Sequence, residues 1–131
     1  MPVWPTCMVF RQLKSIAEDV VTAAQRRLPA RIRKLAAAVP VCYEPYPNDA
    51  ILDQEDVEPD VLGLFVGHEY LGDFDEGASL PPQILLFLDN LWDYAEEDEH
   101  VFRREVRLTY LHELGHYLGW DEGDLAQRGL D

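Results

Sequence analysis

The sequence predicts one small α+β domain, residues 1–131, in which a three-stranded sheet packs on helices. Three observations lead there. Helical periodicity occupies both ends of the chain, and three strand-length apolar runs lie between them. The length, 131 residues with 47% hydrophobic, is also one domain's worth of sequence. At that size a single core can bury most apolar side chains, so folding requires neither a disulfide staple nor a metal.

In chain order, Phe10, Leu13, Ala17, Val20 and Ala24 recur at spacings of three and four. They predict an amphipathic helix over about 8–27. Leu28-Pro29 breaks it, and Pro29 suits the first turn of a second helix over about 30–38. Val39 to Tyr43 reads as a strand, with Val41 and Tyr43 on one face. Glu44 to Asp60, rich in Pro, Asn, Asp and Glu, reads as a loop with room for one helical turn. Val61 to Val66 fits a second strand. The Gly- and Pro-punctuated stretch from Gly67 to Pro82 reads as a connection. Ile84 to Leu88 is an unbroken apolar run, the mark of a strand buried on both faces. The acidic run from Glu96 to Glu99 complements the positive end of a last helix over about 99–118. The predicted order is ααβββα.

Charge narrows the function classes. Eleven Lys+Arg against 25 Asp+Glu give a formal charge of −14. Such a surface repels nucleic acid backbones and anionic lipid, so neither is an expected partner. No apolar run reaches membrane-spanning length, and the start MPVWPTCMVF lacks the layout of a secretory signal. The expected compartment is the cytoplasm. Cys7 and Cys42 make no disulfide framework. Residues 1–38 carry seven Lys/Arg and two Asp/Glu, whereas residues 39–131 carry four and 23. The simplest expectation is a basic N-terminal helix that packs over an acidic remainder and neutralises part of it.

Chemistry concentrates in residues 112–122, HELGHYLGWDE. His112 and His116 are one helical turn apart on one face, the spacing at which two imidazoles reach one Zn²⁺. Glu113 stands about 100° around the helix from His112, so it can approach a water on the metal without itself being a ligand. Leu111, Leu114 and Leu118 form a separate apolar stripe that anchors the helix. A zinc site needs a third protein ligand. Gly119 can end the helix in a left-handed turn and swing the chain back, after which Glu122 follows, with Asp121 and Asp124 as alternatives. With four histidines in the chain, a shuffled sequence would show HExxH in roughly 1% of cases. Adding the glycine and the acid lowers that to roughly one in ten thousand.

The string HELGHYLGWDEGDL near the C-terminus of a short acidic chain resembles the bacterial minimal zincin-like metallopeptidase family. The resemblance extends to GLFVG (63–67) and ILLFLDN (84–90). It implies a compact zincin core and one Zn²⁺ per chain. It further implies His112, His116 and Glu122 as metal ligands, with Glu113 as catalytic base. Glu122 stands where many relatives have aspartate.

The expected activity is hydrolysis of peptide or amide bonds in a peptide or protein substrate. An extended substrate would lie along an edge strand, either 61–66 or 84–88. Tyr117, Tyr70, His68 and His100 are candidates for stabilising the tetrahedral intermediate beside the metal. A reading from another class is a zinc-binding domain without turnover that acts as a protein-interaction module. Phosphodiester hydrolysis is disfavoured by the charge. A calcium site lacks its DxDxDG loop.

Overall fold

The computed structural model describes residues 9–67 and 81–120. Its helices and strands run α1 (Phe10–Arg26), α2 (Ala30–Ala37), β1 (Val41–Glu44), α3 (Asp49–Glu55), β2 (Gly63–Val66), β3 (Gln83–Phe87), α4 (Leu88–Tyr94) and α5 (Glu99–Tyr117). The sheet has the order β1-β3-β2, with β1 parallel and β2 antiparallel to the central β3. This is the expected small α+β architecture with a three-stranded sheet. Two helices are additional to the predicted order.

The periodicity of α1 reflects its packing: Leu13, Ala17, Val21 and Ala24 are buried against α4 and α5. Pro29 is the N-cap of α2, where its fixed φ is compatible with the incoming chain and its missing N–H costs nothing. The central apolar run is strand as predicted through Phe87, whereas Leu88, expected in the strand, opens α4. Ile84 and Leu86 join the helical core, while Leu85 and Phe87, alternating to the other face, are also buried. Trp92 and Phe102 close the core edge to face at 5.6 Å between ring centroids.

The two additional helices have local explanations. In α3 the N-cap Asn48 accepts a hydrogen bond from the Ile51 N–H at 2.8 Å, so a polar stretch makes a helix with no buried residue. In α4 the chain leaves β3 directly into a helix at Leu88. Leu88, Leu91 and Trp92 are buried at helical spacing, extending the core beyond the strand. A strand running straight into a helix has no turn residue to mark the boundary. This helix also places Asn90, whose side-chain amide donates to the carbonyls of Pro59 (2.8 Å) and Val61 (2.9 Å). That pair of bonds fixes the chain just before β2.

The acidic run ahead of α5 has two roles. Asp98 is the N-cap, accepting from the Val101 N–H at 3.0 Å, as capping predicts. Glu96 and Glu97 instead take left-handed backbone at φ 55° and 59°. They close α4 in a Schellman turn, with Glu97 N–H to Trp92 carbonyl and Glu96 N–H to Asp93 carbonyl at 3.0 Å each.

The C-terminal end of α1 meets basic residues of α5. With Arg27 it flanks a groove shared with His100, Arg103, Arg104 and Arg107 of α5. Among the described residues, no helix is long and apolar enough to cross a membrane.

Glu96 carries both a left-handed φ and a negative charge at the carbonyl end of α4, each unfavourable. Glu96→Gly is therefore expected to stabilise the protein by about 0.5–1 kcal/mol, read as a higher urea midpoint with unchanged slope.

Candidate metal centre

The candidate site lies in the last two turns of α5, where the helix crosses β2 and β3. Leu111 and Leu114 are buried and Leu118 packs against the core, so the predicted stripe anchors the helix. That anchoring turns His112, Glu113 and His116 together. Their ligand atoms all lie within 4.8 Å of one another. The two imidazoles stack edge on at 4.7 Å between ring centroids, and His116 Nδ1 is 3.3 Å from Glu113 Oε1. The three residues differ in exposure. His116 is 48% exposed at its side chain and His112 half-buried, whereas Glu113 retains only 8% exposure.

A carboxylate that buried needs partners. Glu113 accepts a hydrogen bond from the backbone N–H of Phe65 in β2. The sheet register accounts for this donor. The Phe87 N–H donates to the Leu62 carbonyl at 3.0 Å, so the even-numbered residues of β2 bond inward to β3. By alternation, Gly63 and Phe65 direct their backbone polar groups to the outer edge. Burial raises the Glu113 pKa above its ordinary 4.5, against the opposing effects of His112 and the Phe65 N–H. Tyr117 packs on Phe65 at 5.7 Å between ring centroids, adding an aromatic contact between the same helix and strand.

β2 approaches this helix closely because Gly63 lacks a side chain. A Cβ there would stand 2.5 Å from Thr109 Cγ2 and 3.2 Å from the Leu85 carbonyl oxygen. The same approach leaves a shallow pocket of about 320 Å³ lined by Val61, Leu62, Gly63, Leu108, Thr109, His112 and Glu113. It is apolar on the strand side and polar at the histidine end.

The helix ends as the glycine predicted. Gly119 has φ 74°, and the Trp120 N–H reaches the Gly115 carbonyl at 2.8 Å while the Gly119 N–H reaches that of His116 at 3.1 Å. This Schellman turn ends the helix at Tyr117, one residue after the second histidine. Glu122 and its alternatives Asp121 and Asp124 lie outside the described residues, as do His68 and Tyr70.

Two of the candidate stabilisers are placed. His100 is on the first turn of α5, about 18 Å along the axis from His112, so it is not part of this site. Tyr117 is buried beside Phe65. The edge-strand expectation is narrowed to β2, since β3 is central and has neighbours on both sides. Sequence reasoning did not find the Phe65 N–H, because a backbone donor leaves no trace in residue identity. Gly63, first residue of the GLFVG stretch, was the available signal.

The two imidazoles suit zinc, and their clustering lets side-chain rotation bring two nitrogens onto one ion with the Glu113 carboxylate beside it. A small α+β fold with such a His-Glu-His helix is a candidate metal-binding arrangement. A family model described as zincin-like metallopeptidase matches residues 36–130, well over half of the chain. The chain belongs to that family, and the family implies a zinc cofactor. Comparison with curated proteins finds no matching relative.

The buried Glu113 makes the metal-free protein pH-sensitive. Its folded pKa is raised, so the folded state holds the proton more tightly than the unfolded chain. Stability then falls as pH rises from about 4.5 through the folded value. In chelator-treated protein, Glu113→Gln is expected to remove this loss. Its urea midpoint should exceed the parent's at pH 7 and approach it near pH 4.

Proposed function

We propose that the chain is a zinc-dependent peptidase that hydrolyses peptide or amide bonds in a peptide or protein substrate. His112, His116 and Glu122 would hold one Zn²⁺ per chain, and Glu113 would be the general base. The observation that carries this reading is the His112-Glu113-His116 cluster, turned to one face at the end of a core-anchored helix.

A bound zinc would supply Lewis-acid polarisation of the scissile carbonyl and lower the pKa of an attacking water towards about 7. Glu113 takes the proton of that water on its carboxylate and returns it to the leaving amine nitrogen. The Phe65 N–H and the burial of Glu113 serve this task in opposite directions. The hydrogen bond fixes the carboxylate's position, and burial makes it a stronger base than an exposed glutamate. The outer edge of β2 is aligned beside the cluster. The outward backbone groups of Gly63 suit an extended peptide, and the 320 Å³ pocket beside His112 suits one small apolar side chain.

The pocket is shallow, and this favours a second reading, in which the same zinc site recognises a partner protein without turnover. Elemental analysis of untagged protein is expected to give about one zinc per chain, lost in His116→Ala. Glu113→Gln should retain the zinc while hydrolysis of unfolded protein substrates falls by about 10²–10⁴-fold. Zinc without chelator-sensitive hydrolysis in the parent would favour the partner-binding reading. Undiminished hydrolysis in Glu113→Gln would remove Glu113 as the base.

A further inference from the structure

A second concavity lies at the other end of α5, on the side that faces α1. This open groove measures about 690 Å³, within the range of small-molecule sites. Two helical stripes build it. On α5, His100, Arg103, Arg104 and Arg107 follow the i, i+3, i+4, i+7 pattern of a single face. On α1 and its C-cap, Val20, Ala23, Ala24 and Arg27 repeat that pattern. The floor is therefore small and apolar, and four guanidinium groups surround it. Asp19 is the one acid in the lining.

This arrangement opposes the helix that carries it. Like charges at i, i+3 and i, i+4 repel, as Arg104 and Arg103 do with Arg107. Intramolecular compensation is incomplete. Arg103 pairs with Glu99 at 3.0 Å and Arg104 only loosely with Glu105 at 3.8 Å. Among the described residues, Arg27 and Arg107 have no ion-pair partner. Four of the chain's 11 Lys+Arg thus converge on one cavity in a molecule of charge −14. Cationic charge gathered in so small a volume matches a ligand whose own charges are adjacent, as in a di- or triphosphate. Guanidinium forks grip phosphate oxygens in pairs, and an apolar floor accepts a ring.

We propose that the α1–α5 groove binds an organic polyphosphate of the nucleotide class, its phosphates on Arg27, Arg103, Arg104 and Arg107 and its ring over Val20, Ala23 and Ala24. The site is separate from the candidate metal centre and independent of the peptidase reading.

Calorimetric titration of the full chain with ATP tests it, with pyrophosphate and citrate alongside. ATP is expected to bind saturably at low ionic strength, more tightly than pyrophosphate, and to weaken steeply with added salt. The double variant Arg27→Ala/Arg107→Ala should weaken ATP binding about tenfold or more while its melting temperature stays within a few degrees of the parent's. His116→Ala, which disables the metal site, should leave ATP binding intact and so separates this groove from phosphate captured by zinc. Absence of ATP binding at low salt overturns the proposal. So does binding that survives the double arginine variant or is lost in His116→Ala. Equal affinity for pyrophosphate or citrate would reduce the groove to an unspecific anion patch and overturn the assignment to nucleotides.

Discussion

The contact between α5 and β2 is the constraint on which the candidate site depends. Glu113 is nearly buried, and its carboxylate is tolerable there because an outer-edge N–H of β2 donates to it. For that bond to exist, β2 must lie at the sheet's edge, in the register that points Phe65 outward. The strand must also come close to the helix, which Gly63 permits. Asn90 fixes the chain entering β2, and the leucine stripe of α5 fixes the helix's rotation. Elements from three parts of the chain thus agree on the position of one carboxylate.

Much of this was legible in the sequence, for identifiable reasons. The leucine stripe and the His-x-x-x-His spacing share one helix, so periodicity alone separates a core face from a polar face. Gly119 announced the end of that helix because a left-handed residue there is most easily a glycine. The buried run at 84–87 was plain because a central strand shows no alternation. What was not legible depends on tertiary or main-chain facts. α4 begins inside an apolar run that also ends β3, so composition does not mark the change of period. α3 buries nothing and rests on its cap. The positions of His100 and of the basic α1 end are set by how helices pack, on which charge counts are silent.

α5 is the spine of the molecule. It contacts α1, α4, β2 and β3, and its two ends carry opposite kinds of chemistry. The N-terminal turns hold arginines facing α1, while the C-terminal turns hold histidines and a buried acid facing β2. Between them Tyr110 is fully buried, its hydroxyl accepting from the Gln25 side-chain amide at 2.9 Å, and Val106 completes the apolar middle. These buried central turns separate the two polar ends of the helix.

The donor that steadies Glu113 belongs to the main chain, and this bears on what sequence drift the site can absorb. Any residue with an amide hydrogen can stand at position 65 and preserve the bond; proline, which has none, cannot. Substitution at 65 is filtered by strand propensity and by packing against Tyr117 rather than by the chemistry of the carboxylate. Related chains can therefore keep the same geometry around their glutamate while sharing no side chain at this position.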